Sequence, residues 1–291
     1  MTFKTILAAA SGGSASDGTI ELACRFAHRF GAHLEAFHAK PDPRDLFTYS
    51  TDSFGTSMSG DFVDRFVKDS DTIAAKTKAG FEAAIARHQI TVSASPSLGP
   101  PEKIAASAVW REEIGYAPTL VARRARFFDL VVLGRSERVV DQPHTDVVEQ
   151  TLINSGRPVL VSPAQPHDDI GDNIVIGWNG SAAATRALAA SLPFIASARS
   201  VSVVTIGDRH QGSAAALVEY LGWYSIAAKH RHLPNVDGAG IGQQLLSDAH
   251  DAGANLVVMG GYGHVPWREF LFGGATREVV GSSMLPVLLT H

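Results

Sequence analysis

The stretch Ile6-Leu7-Ala8-Ala9-Ala10-Ser11-Gly12-Gly13 returns as Ile174-Val175-Ile176-Gly177-Trp178-Asn179-Gly180-Ser181, an offset of 168 (174 less 6). In both copies an unalternating apolar run, which reads as a strand buried on both faces, passes into a Gly/Ser turn and then into residues of helical spacing. The next strand recurs at the same offset, residues 32–39 as 200–207. Further on, Asp129-Leu130-Val131-Val132-Leu133-Gly134 returns as Asn255-Leu256-Val257-Val258-Met259-Gly260, now at 126 (260 less 134), and Pro158-Val159-Leu160 as Pro286-Val287-Leu288, at 128. Repeats this long exclude a solenoid and call for a duplicated α/β unit in which helical crossovers join parallel strands.

The difference of 42 between the first two offsets assigns that many extra residues to the first half, between its second and fourth strands. They are expected in the irregular stretches at 44–60 and 95–101. The first half reads as strand 6–10, helix 20–30, strand 33–39, a long helix from Phe62 to about His88, strand 105–113, a short helix 120–126, strand 129–134, a helix near 146–154 and strand 158–161. Residues 162–172, with Pro163, Pro166, Asp168 and Asp169, read as a linker between domains at 1–163 and 172–291. Each domain is expected to hold a five-stranded parallel sheet, with ligands at the carboxyl ends of the strands where strand order reverses.

The stretch most suited to a ligand follows the buried strand 256–259. Gly260-Gly261-Tyr262-Gly263 opens a loop, and Gly273-Gly274-Ala275-Thr276 starts a helix. Glycines let backbone approach a ligand closely, and free N–H groups at a helix start attract anions. Arg268 and Arg277 bracket the loop, while Trp267, Phe270, Leu271 and Phe272 are expected to anchor it on the core or on a partner subunit.

With these residues in view the chain resembles the universal stress protein family in its tandem, two-domain form, over nearly its whole length. Gly260-x2-Gly263-x9-Gly273 matches the glycine spacing of the family's nucleotide signature, G-x2-G-x9-G-(S/T). The resemblance implies two tandem domains of the adenine-nucleotide alpha-hydrolase-like type and an adenine nucleotide, ATP with Mg²⁺, as ligand. It assigns ribose and phosphate contacts to Gly260, Gly263, Gly273, Gly274, Ala275 and Thr276, the adenosine contact to Asn179 and the adenine contact to Ile206. Two positions differ from the family pattern: Gly274 stands where a Ser or Thr is usual, and Asn179 where an acid is usual. In the first half Glu137 replaces the second glycine and Gln142-Pro143-His144-Thr145-Asp146 replaces the helix-start glycines. A carboxylate in a phosphate cradle repels the ligand, so the first domain is expected to be degenerate.

Other features narrow the reading. A net charge of −4 with no Lys/Arg cluster argues against nucleic acid, and no apolar run is long enough to span a bilayer. Cys24, the sole cysteine, lies among Leu22, Ala23 and Phe26 and reads as a small core residue. Residues 1–10 fit a first strand better than a signal peptide, so a cytoplasmic setting is the expectation. Gly238-Ala239-Gly240-Ile241-Gly242 reads as a helix-start loop rather than a dinucleotide fingerprint, its third glycine being one place early. His230 and His232 would share a strand face, as zinc ligands do, but lack a third ligand and read as solvated. No nucleophile–base pair is committed to one site, so no catalytic residue is named.

The function expected is ATP binding in the C-terminal domain, used as a regulatory or stress-response signal, in a homodimer or an intrachain pseudo-dimer joined through the terminal strands. Two alternatives stand beside it. One is a nucleotide-independent dimeric scaffold. The other is an ATP pyrophosphatase-type enzyme, since Ser11-Gly12-Gly13-Ser14-Ala15-Ser16 resembles the S-G-G-x-D-S grip of those enzymes with Ala15 in place of the aspartate.

Overall fold

The computed structural model describes residues 2–12, 14–44, 60–96, 105–135, 147–163, 169–236, 238–261 and 274–291. The chain divides into two compact units, Phe3–Ser155 and one made chiefly of Gly156–His291.

The first unit runs β1 (Thr5–Ala9), α1 (Ser14–Phe30), β2 (His33–Lys40), α2 (Gly60–Arg87), β3 (Thr91–Val92), β4 (Ser107–Ile114), α3 (Ala117–Ala125), β5 (Leu130–Gly134) and α4 (Val147–Ser155). Its strands lie in the order β3-β4-β2-β1-β5, all parallel. Ile6, Leu7, Leu34 and Leu130 are fully buried, as strands covered on both faces require. Helix α3 begins with a proline in its first turn, where the missing N–H costs nothing. The two-residue strand β3 falls just ahead of the stretch read as irregular, and its brevity left no periodicity to detect.

The second unit runs β6 (Val159–Ser162), β7 (Asn173–Gly177), α5 (Ala182–Ile195), β8 (Ser200–Ile206), a 3₁₀ turn (Asp208–His210), α6 (Gln211–Gly222), β9 (Ala228–Leu233), α7 (Ile241–Asp251), β10 (Leu256–Gly260), α8 (Gly274–Ser282) and β11 (Val287–Thr290). Strands β11-β10-β7-β8-β9 are parallel neighbours in that order. The chain builds outward from β7 through β8 to β9, then returns to the other side of β7 with β10. The order therefore reverses between β7 and β10, the position at which such sheets bind ligands. Beyond β11 the strand β6 pairs antiparallel, Val161 against Val287 and Val159 against Leu289, so the two terminal strands cover each other's edge.

The duplication extends to single hydrogen bonds. In the first unit Asp129, just before β5, accepts from the N–H groups of Lys4 and Thr5 at 2.8 and 3.1 Å. Its counterpart Asn255, just before β10, accepts from Gly171 and Asn173, each at 3.0 Å. An amide oxygen thus does the work of a carboxylate, satisfying N–H groups at the start of the neighbouring strand.

One expectation needs correcting. The extra residues of the first half are not confined to irregular stretches: α2 has 28 residues where α6, its positional counterpart, has 12. The helix itself agrees with the expected span from Phe62 to about His88, and its buried stripe includes Ala74, Phe81, Ala84 and Ile85. Among the described residues no helix is long and apolar enough to cross a membrane.

Candidate functional site

The carboxyl edge of the second unit is built around glycines of two kinds. Gly177 and Gly260 end β7 and β10 and are needed for space. A Cβ at Gly177 would lie 2.7 Å from Leu245 Cδ2 of α7, and one at Gly260 2.5 Å from the backbone nitrogen of Ala184 in α5. Met259 and Gly177 are register partners, so Gly260, the next residue, points to the opposite face. Helices α7 and α5 therefore press on opposite faces of the sheet at its switch point. Gly180 and Gly207 are needed for conformation, with φ of 70° and 72°.

Between these glycines the chain turns sharply. Asn179 Oδ1 accepts from the N–H of Ser181 at 3.1 Å, closing an Asx turn. Ser181 then caps α5, its hydroxyl accepting from the N–H of Ala184 at 3.1 Å. Because the backbone donor fixes which end of the Asn179 amide is oxygen, its NH2 group is the end left for a ligand. Thr290 Oγ1 of β11 donates to the carbonyl of Ala183 at 2.7 Å, and the N–H of Gly261 donates to the carbonyl of Thr290 at 2.7 Å. The start of α5 and the end of β10 are thus locked to one another.

The loop after β8 closes the other side. Trp178 Nε1 donates to Ser213 Oγ at 3.1 Å, and Ser213 Oγ donates to the His210 carbonyl at 2.9 Å. Gln211 Nε2 donates to Asp208 Oδ1 at 3.0 Å and lies 3.1 Å from His232 Nε2. Sequence reasoning missed Trp178, His210 and Ser213, since nothing in their spacing marks them as neighbours. The two strand histidines take different partners: His230 Nε2 meets Thr205 Oγ1 at 2.9 Å, while His232 faces Gln211 and Asp208.

Of the residues singled out for nucleotide, Asn179 and Gly274 are exposed, Ile206, Gly260 and Ala275 half-buried, and Thr276 is 4% exposed with its side chain turned inward. Asn179 and Gly260 both meet the start of α5, Asn179 through its N-cap Ser181 and Gly260 through Ala183 and Ala184. Gly263, Gly273, Arg268 and the apolar run Trp267 to Phe272 lie outside the described residues, as do Glu137 and residues 142–146 of the first half. The glycine run at 238–242 forms the start of α7, as read from the sequence, with Gly240 at its N-cap.

At the same edge of the first unit the layout differs. Gly12 follows β1 with φ of 86°, and a Cβ there would lie 2.6 Å from Ile73 Cγ2 and 3.5 Å from Thr77 Oγ1, both on α2. His38 occupies the position equivalent to Ile206 (206 less 168) and is 2% exposed. Its Nδ1 donates to the Ala10 carbonyl at 2.5 Å, and Trp110 stacks on its ring at 5.8 Å, with Phe81 of α2 beyond. The lengthened α2 thus reaches over Gly12 and, through Phe81 and Trp110, backs His38, while Ser11 of the turn compared above with a pyrophosphate grip is exposed.

No family model and no curated relative matches the chain. Solved structures do. A universal stress protein from Archaeoglobus fulgidus DSM 4304 superposes with a TM-score of 0.68 at 14% identity, covering 98% of this chain and 95% of that one. A putative universal stress protein from Pseudomonas aeruginosa UCBPP-PA14 gives 0.57 at 12% identity, over 99% of this chain and 93% of the other. A functionally unknown protein from Pseudomonas aeruginosa PAO1 gives 0.54 at 12%, over 99% and 92%. Similarity sustained over both chains at such low identity is a statement about architecture, and by it this chain has the fold of the tandem universal stress proteins.

Proposed function

We propose that the chain binds an adenine nucleotide, ATP with Mg²⁺ carried on its phosphates, at the carboxyl edge of the Gly156–His291 unit, and that occupancy serves as a regulatory signal in a stress response. One observation carries this reading: the two copies of the edge differ in access. Gly180 is exposed and Ile206 half-buried in the second unit, whereas their counterparts in the first are Gly12, half-buried under Ile73, and the buried His38; the leading turn residues Asn179 and Ser11 are exposed in both. In this reading Ile206 and the Asn179 amide meet the nucleoside, and Gly260 and Gly263 let backbone come close. The N–H groups of Gly273, Gly274 and Ala275, with Thr276 completing the first turn of α8, meet the phosphates. Mg²⁺ takes its oxygen ligands from phosphate and water, as it commonly does. A cytoplasmic protein, acting as a homodimer or an intrachain pseudo-dimer, fits this role.

The test is direct. Nucleotide released from the purified protein is identified, and ATP binding is titrated for wild type and for Gly263→Glu, which copies Glu137 of the first half. Wild type is expected to bind one ATP per chain and the variant none. A wild type that neither carries nor binds nucleotide favours the scaffold alternative. Undiminished binding by Gly263→Glu removes the site from this loop.

A further inference from the structure

Helix α7 begins without a capping side chain of its own, Gly240 standing at its N-cap in extended conformation (φ −64°, ψ 140°). Its first amides are taken instead by the next helix. The carboxylate of Glu278, on α8, accepts from the N–H of Gly242 at 2.9 Å and of Gln243 at 3.3 Å. An anion is the group that a helix start favours, so the contact supplies from 36 residues away what an aspartate at position 240 would supply locally. The approach is as close as backbone permits. A side chain at Gly240 would collide with the Glu278 carboxylate, and a Cβ at Gly242 would lie 2.6 Å from the carbonyl oxygen of Ala275. Ala275 belongs to the first turn of α8, whose other end, Gly274, is exposed. The first turn of α8 is therefore wedged against α7 on its flank, with Gly274 exposed at its start.

Resting on the nucleotide reading above, we propose that Glu278 is a positioning residue for the phosphate end of the site. It holds α8 on the start of α7, so that the amides at Gly274 and Ala275 keep one aim before the ligand arrives. Donors fixed in advance bind without the cost of being ordered. The glycines are the complementary half of the device: a side chain at 240 displaces the Glu278 carboxylate, and one at 242 pushes the two helices apart. Glu278 acts by its place and not by its sign. Its negative charge taken alone works against phosphate, so charge and position predict opposite outcomes.

The full chain is titrated calorimetrically with MgATP and separately with adenosine, which has no phosphate, for wild type, Glu278→Ala, Glu278→Gln and Gly242→Ala. Glu278→Ala and Gly242→Ala should each bind MgATP about tenfold or more weakly, the loss expected for a charge-assisted hydrogen bond, with adenosine affinity unchanged. Glu278→Gln keeps an acceptor and should stay within about threefold of wild type. Tighter MgATP binding by both Glu278 variants assigns the residue a charge effect and overturns the proposal. So does unchanged MgATP binding by Glu278→Ala and Gly242→Ala, or a parallel loss of adenosine, which marks general damage. If wild type binds neither ligand the nucleotide reading itself fails, and this role with it. Binding by wild type with indifferent variants removes the positioning role alone.

Discussion

Gly260 and Ala184 touch through backbone: a single methyl group on Gly260 would stand 2.5 Å from the Ala184 nitrogen, inside the first turn of α5. Gly260→Ala must therefore push α5 off the end of β10, at a cost of about 1–3 kcal/mol typical of overpacking. Chemical denaturation should show the loss. The same variant should weaken nucleotide binding, because the Asn179–Ser181 turn moves with α5. A variant as stable as wild type would show that the strand end yields freely.

Glu35 is a carboxylate only 3% exposed, held by Arg124 through Nε at 2.5 Å and Nη2 at 2.6 Å and by Arg111 through Nε at 2.9 Å. Removing a partner strands buried charge. Arg124→Ala should destabilise the Phe3–Ser155 unit by about 2–3 kcal/mol, the value for a buried pair discounted for the guanidinium's partial exposure. Arg111→Ala removes one bond from a more exposed arginine and should cost less. Urea unfolding of both variants checks the order, and the reverse order would contradict it.

Asp248, on α7, is paired with Arg231 of β9 at 2.5 Å through one oxygen, while its other oxygen is buried without a hydrogen-bond partner among the described residues. Burial raises its carboxyl above the ordinary value of 3.8, with Arg231 pulling it down and Asp251 adding to the rise. A carboxyl raised on folding holds its proton more tightly in the folded state. Its contribution to stability is whole below the ordinary value and is lost as pH rises through the folded value. Asp248→Asn removes this titration. Its stability relative to wild type should therefore increase from about pH 3 upward and level off once Asp248 is ionised. A pH-independent difference in unfolding free energy would refute the assignment.

Cys24 is fully buried in α1, and its thiol is pushed up to about 12, chiefly by burial and secondarily by the Glu21 charge, Arg87 acting in the opposite sense. Since the thiolate is the nucleophile, the native protein should not react with a thiol reagent at about pH 8, and the denatured chain should react fully. Rapid labelling of the native chain would mean that α1 opens readily.

Much of the fold was legible in the sequence because it rests on local signals. Apolar runs without alternation marked β1, β5, β7 and β10, and their recurrence at constant offset marked the duplication before any contact was known. The glycine spacing after β10 pointed to one end of one strand. What could not be read was the reason for each glycine. Gly180 and Gly207 answer to backbone conformation, whereas Gly177, Gly242 and Gly260 answer to a neighbour that is distant in the chain. The helix α2 was legible, expected from Phe62 to about His88 and found at Gly60–Arg87, but what it covers was not, because that follows from where its inward face packs.

The sequence by itself determined that this chain is a duplicated parallel α/β protein with a glycine-rich stretch after the fourth strand of its second half. Those properties follow from hydrophobic run length, spacing and turn chemistry, which act over a few residues at a time. Tertiary structure alone decided that α2 reaches over Gly12 and backs His38 while Gly180 stays exposed, and that Glu278 serves as the cap of α7. Each of these joins residues tens of positions apart, through hydrogen bonds and close approach that exist only once the helices are laid against the sheet.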